Sequence, residues 1–308
     1  MEICSGDAMD HAARVTGTES PIVTMPTAAT RTLILCADDF GLDLRIDQAI
    51  LALVAANRLS AVSCMTGGVS WRQSAPVLAQ AQAELSIGLH LTLTEIAPVG
   101  AMPRLAVTGT LPHLNSLLRQ TILGQLDAAE IRTEARRQID AFCLHFARPP
   151  AHLDGHQHVH CFPVIRDVVY ALAAEYGCAV RVCATPLAAI MRGTAPWAKA
   201  AVINVMGNGF HAGLDARAIP HNRHFFGLHD FNPARDIRAM YASWFTAAAT
   251  AHATLVNCHP GADAIPNDPL AAWRTHEYDF LRSADFTELC ATTACRLGTF
   301  APNPTTPA

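Results

Sequence analysis

Four short apolar runs in this chain each stop on an acid or an imidazole, and that punctuation limits the folds open to it. Leu33 to Cys36 leads into Ala37-Asp38-Asp39-Phe40-Gly41, and Ile87-Gly88-Leu89 leads into His90. His152-Leu153 leads into Asp154-Gly155-His156-Gln157-His158-Val159-His160, and Leu255-Val256-Asn257-Cys258 leads into His259-Pro260. Runs of this length without polar alternation suit parallel strands covered on both faces. Adjacent carboxylates at the mouth of a buried strand are costly unless a cation or a proton shares the site. Carboxylates and imidazoles at four strand ends therefore read as one metal-dependent active site.

Strand-like and helical patterns alternate along the chain. The apolar runs predict strands over 32–37, 60–66, 85–91, 150–154, 179–184, 200–206 and 254–258. Helical periodicity predicts 44–57, 73–84, 127–147, 164–177, 235–252 and 285–295, the third carrying Ile131, Ala135, Ile139 and Phe142 at spacings of three and four. The expected architecture is a single-domain β/α barrel of parallel strands, TIM-like with room for distortion; an open doubly wound sheet is the second choice. In either, ligand sites gather at the carboxyl ends of the strands. A chain of 308 residues that is 51% hydrophobic and 16% charged can bury one large core. Residues 1–30 read as a flexible N-terminal extension, 31–300 as the barrel and 301–308 as a Pro-rich tail.

Charge and cysteine usage narrow the function classes. A net charge of -4 and a pI near 6.4, with no basic run, give no footprint for nucleic acid. No apolar stretch approaches the length of a membrane span, and no basic segment followed by a hydrophobic one opens the chain. The ten cysteines include no Cys-x-x-Cys pair and lie mostly in apolar runs, which predicts a reducing, cytoplasmic setting. Homo-oligomerisation is left open by the sequence.

Adjacent strand residues face opposite sides, so Asp38 and Asp39 are expected to divide two tasks, one holding a metal ion and the other accepting a proton. One carboxylate and two imidazoles suit zinc or a similar ion, whereas magnesium more often takes oxygen ligands. In an extended run His156, His158 and His160 would share one face, with Asp154 orienting His156 and the other two histidines packing or lining the rim. His211, His221, His224 and His229 read as a solvated active-site rim. Trp71, Trp197, Trp244 and Trp273 are core residues by default, with stacking on sugar faces as the alternative.

Taken together, Ala-Asp38-Asp39-Phe-Gly, Ile-Gly-Leu-His90-Leu-Thr-Leu-Thr, His-Leu-Asp154-Gly-His156-Gln-His-Val-His and Cys-His259-Pro resemble the YdjC-like carbohydrate deacetylases, over roughly residues 31–300. The resemblance implies a β/α barrel, metal ligation by Asp39, His90 and His156, and Asp38 as general base. It further implies removal of the acetyl group from an N-acetylglucosamine-type sugar, as chitooligosaccharide deacetylases do, on a small N-acetylated saccharide or glycoconjugate. Family members have been described with magnesium, so one divalent ion, zinc or magnesium, is the expected cofactor. His259 is the candidate acid for the departing amine, and Arg181 the cation that keeps Asp38 ionised. The alternatives are a metal-dependent hydrolase of phosphoesters or non-sugar amides, and a carbohydrate-binding protein without turnover.

Overall fold

Residues that are apolar at every position become strands buried on both faces, and they do so around a ring. The structure, a computed structural model, describes residues 31–81, 85–184, 197–248 and 254–300; the segments 1–30 and 301–308 lie outside them. The strands are β1 (Arg31–Phe40), β2 (Ala61–Cys64), β3 (Ser86–Leu91), β4 (His152–Gly155), β5 (Ala179–Val180), β6 (His224–Phe226), β7 (Thr254–Cys258) and β8 (Cys295–Leu297). All pairs are parallel, in the order β5-β4-β3-β2-β1-β7-β6, with β8 against the amino end of β1. Because β7 returns to β1, sequential strands curl round as in a barrel instead of reversing as in a doubly wound sheet.

The ring closes at a thin seam. β5 and the segment leading into β6 share one bridge, Val180 to His221. Beside it the buried Asn222 side chain substitutes for strand pairing: Oδ1 accepts from the Val182 amide at 2.8 Å and Nδ2 donates to the Val182 carbonyl at 2.9 Å.

Helices cover the outside. On β1, Leu33, Leu35 and Ala37 pack with Ile46, Ile50, Tyr241 and Phe245, while Ile34 and Cys36 join the cluster of Leu89, Leu153 and Phe225. Asp43 caps the helix Leu44–Ala55 by accepting from the Arg45 amide, and Asp127 caps Ala128–Phe146 from Ala129 and Glu130. Trp71, Trp244 and Trp273 are buried core residues, and Trp197 is exposed. Among the described residues no helix is long and apolar enough to cross a membrane.

Two sequence expectations are corrected. Residues 200–206 belong to the helix Trp197–Met206, not a strand, and the sixth strand lies at His224–Phe226. A short apolar run does not discriminate helix from buried strand by periodicity, and a three-residue strand leaves almost no pattern. Helices Leu114–Ile122 and Ala271–Arg282 also stand where the periodicity predicts none.

Replacing Asn222 with Ala should leave the buried Val182 amide and carbonyl unpaired and cost about 1–3 kcal/mol, measured as a lowered urea midpoint at unchanged slope.

Candidate active site

β1 ends in a bulge, and the bulge builds the site. Ala37 pairs with Val62 but Phe40 pairs with Cys64, so β1 carries one residue more than β2 over this stretch. Asp39 takes up the excess at φ 70, in the left-handed region. Strict alternation would turn one of two adjacent aspartates away; here both line a cleft of about 460 Å³ at the carboxyl ends of the strands. Gly41 follows at φ 98, where a Cβ would stand 2.7 Å from the Met65 carbonyl oxygen. Its amide donates to Asp47 Oδ1 at 2.6 Å, which pins the turn to the first covering helix.

Asp39, His90 and His156 present one donor atom each within 4.8 Å of one another. Asp39 Oδ1 lies 3.0 Å from His156 Nδ1 and 3.5 Å from His90 Nε2. Its other oxygen, Oδ2, accepts from Arg274 at 2.7 Å, and Arg274 in turn meets Asp268 at 2.6 Å. His90 and Asp154 are register partners on β3 and β4, with Nδ1 of the imidazole 2.7 Å from Asp154 Oδ1. That contact leaves Nε2 facing Asp39. Asp154 therefore orients His90, which corrects its expected pairing with His156. The outer partner of His156 is Glu95, with Oε2 at 3.9 Å from Nε2.

The second aspartate has different company. Arg181, fully buried after β5, grips both oxygens of Asp38 at 2.5 and 2.7 Å and also meets Asp154 Oδ2 at 2.5 Å. Asn257 Nδ2 donates to Asp38 Oδ2 at 3.1 Å, and His259 Nε2 lies 3.8 Å from the same oxygen. Gly227 makes room for this: at φ 113 a Cβ there would strike Asn257. Glu277 fixes the His259 backbone, its Oε2 accepting from the His259 amide at 2.5 Å and its Oε1 from the Tyr241 hydroxyl at 2.7 Å.

These contacts set the protonation states. Burial alone would raise both aspartates, but Arg181 holds Asp38 below the ordinary carboxylate range and Arg274, with His156, holds Asp39 well below it. His90 is driven down by burial, yet Asp154 and Asp38 outweigh that and lift it to about 10. His156 is raised too, its burial outweighed by Asp39. His259, with burial as the dominant influence, falls to about 4 and is neutral near neutral pH.

A divalent cation fits this donor set. The contacts gather Asp38, Asp39, Asp154, Asp268 and Glu95 against two guanidiniums, Arg181 and Arg274, an excess of three negative charges. The same surplus raises the proton affinity of the two imidazoles that face Asp39, His90 to about 10 and His156 upward as well.

The remaining predicted histidines disperse. Residues 156–161 form a tight 3₁₀ turn with Gln157 and His158 in left-handed conformations, so the expected shared face of His156, His158 and His160 does not exist. His158 packs edge-on against Phe225, and His160 Nε2 lies 2.9 Å from the Arg181 carbonyl. His229 is buried between Phe231 and Trp273, while His211 and His221 stand elsewhere, beside Asp215. Arg274, Glu95, Asn257 and Glu277 were not foreseen; only Asn257, a polar residue inside an apolar run, leaves a trace in the sequence.

A profile of YdjC-like proteins matches residues 32–292, and the chain belongs to that family. It is 37% identical over 150 residues to a chitooligosaccharide deacetylase of Serratia marcescens, covering 48% of this chain and 58% of that protein. It is 36% identical over 151 residues to one of Yersinia pestis, covering 49% and 58%. The matched region thus spans 58% of the length of these curated relatives. A solved structure from Enterococcus faecalis, provisionally assigned as a cellobiose-phosphate cleavage protein, shares the fold with a TM-score of 0.67 at 18% identity, over 88% of this chain and 97% of that one.

Glu277 gives the site a testable pH signature. Burial pushes its carboxyl up to about 7, above its value in the unfolded chain. The folded state then holds the proton longer, so this group's contribution is fully present below about pH 4.5 and is lost as pH rises through 7. Glu277→Gln should flatten that fall by on the order of 3 kcal/mol, read as the difference between wild-type and variant unfolding free energies at about pH 5 and about pH 8.

Proposed function

We propose that this YdjC-like protein is a metal-dependent carbohydrate N-deacetylase that hydrolyses the acetamide of an N-acetylglucosamine-type sugar to free amine and acetate. The observation that carries the reading is the convergence of Asp39 Oδ1, His90 Nε2 and His156 Nδ1 beside an arginine-clamped aspartate in an open cleft. The names of the matched relatives supply the substrate class. The cleft volume falls within the range of small-ligand sites.

Asp39, His90 and His156 would hold the ion, and their two nitrogens and one oxygen favour zinc or a similar metal over magnesium. Such an ion supplies acidified water and a polarised carbonyl. Asp38 accepts the proton from the attacking water; Arg181 and Asn257 keep its carboxylate ionised and aimed. Neutral His259 does not begin the cycle as an acid. It takes the proton from Asp38 across the 3.8 Å that separate them and delivers it to the departing amine. Arg274 occupies Asp39 Oδ2 and so leaves Oδ1 as the oxygen that would face an ion. The nine described cysteines are free, which fits the reducing, cytoplasmic setting expected from the sequence.

Asp38→Asn should retain one equivalent of metal and lose about 10²–10⁴ in kcat, measured as acetate release from N-acetylated chitooligosaccharides. Chelation should abolish release from the wild type, and zinc should restore it. Full activity in the variant would overturn the base assignment, and hydrolysis of phosphoesters without acetate release would favour the alternative chemistry.

A further inference from the structure

A second group of metal-binding side chains lies at the opposite end of the barrel. His211 and Asp215 stand four residues apart on the helix Phe210–Asp215, on one face, and His221 sits where the chain enters the seam beside Val180. Ligand atoms of the three lie within 4.8 Å of one another. Asp215 Oδ2 is 3.6 Å from His211 Nε2, and Asp215 Oδ1 is 3.6 Å from His221 Nε2. The group borders a hollow of about 320 Å³ lined by Ile34, Pro220 and Phe300, next to the amino ends of the strands.

The tautomers are already those a metal ion requires. His221 Nδ1 contacts the Ile219 carbonyl at 2.7 Å, which leaves the lone pair on Nε2. That Nε2 is buried without a hydrogen-bond partner, on a side chain only 4% exposed, and it faces Asp215. An orphaned acceptor in such a place is costly unless something binds it. His211 Nε2 lies 2.6 Å from Arg223 Nη1, and because a guanidinium only donates, this nitrogen also bears its lone pair. Arg223 further meets Asp215 at 2.9 and 3.1 Å, so a half-exposed cation fills the place between the donors.

We propose that His211, Asp215 and His221 form a second divalent transition-metal site, of the zinc class, that staples the helix Phe210–Asp215 to the barrel seam when Arg223 swings out. Two imidazoles and a carboxylate with room for solvent match that class of ion. Holding His221 in place would reinforce the single bridge between β5 and the lead into β6.

The test is zinc uptake by metal-stripped full-length protein, counted after gel filtration. Wild type should retain two equivalents. His211→Ala, at a half-exposed position, should weaken one equivalent at least ~100-fold, the loss that even an outer-shell partner can cause, while acetate release is kept. His221→Ala should do the same, and Arg223→Gln should tighten that equivalent by removing the competing cation. Asp39→Asn should remove only the other one. A wild type that retains a single equivalent, lost in Asp39→Asn and untouched in His211→Ala, overturns the seam site and leaves the proposed active site standing. A single equivalent lost only in His211→Ala does the reverse. Retention of none overturns both.

Discussion

One buried guanidinium holds the site in register. Arg181 reaches Asp38 from β1 and Asp154 from β4 at once, and through them it touches two of the histidines of the site. Asp154 sets the tautomer of His90, and Asp38 faces His259. Burying such a triad gains little stability by itself, because desolvation of the charges offsets their attraction. Removing one member is different, since it strands an uncompensated charge at a cost of about 3–5 kcal/mol. The arrangement is therefore best understood as a specification of geometry: Ser63 donates to Asp154 at 2.6 Å, Asn257 donates to Asp38, and no oxygen of either acid is free to turn.

Backbone strain is concentrated at the same end of the barrel. Asp39, Glu95, Gln157 and His158 all have positive φ, although none is glycine, and all four line the cleft. Each such residue costs on the order of 1 kcal/mol or more. The neighbouring contacts that hold these conformations are specific, as with the Gly41 amide on Asp47 and the Glu134 carboxylate that accepts from Val99 and Gly100 beyond Glu95. Regular strands would have alternated these side chains between cleft and cover; the irregular ends bring them to one rim.

That irregularity also explains how much the sequence disclosed. Long apolar runs and periodic helices announced the parallel barrel, because each residue's burial repeats along the element. The acid and imidazole types at the strand ends were equally visible. Their geometry was not. Period-two reasoning set Asp38 and Asp39 on opposite faces with both still able to reach a cleft, and a bulge is what brings them there; it also set His156, His158 and His160 on one face, and a left-handed turn disperses them. Arg274 left no mark, because an arginine in an amphipathic helix looks like a solvated one until its partners Asp39 and Asp268 are known. Residues 200–206 misled for a related reason: Ala and Val in a short stretch satisfy either period.

Charge balance ties the site's affinity for a cation to its affinity for protons. The surplus of carboxylates that would attract a divalent ion is the same surplus that lifts His90 to about 10 and raises His156. An ion entering between Asp39 and these imidazoles competes with a proton at each nitrogen, since a ligating nitrogen has to be deprotonated. Binding therefore releases protons, and acid competes with the metal. His259 stands outside that exchange: burial keeps it neutral, and the Asp38 oxygen 3.8 Å away is already committed to Arg181. The protein thus separates two imidazole roles by surroundings: carboxylates outweigh burial at those that would hold the ion, whereas burial outweighs Asp39 and Asp38 at the one that would carry the proton.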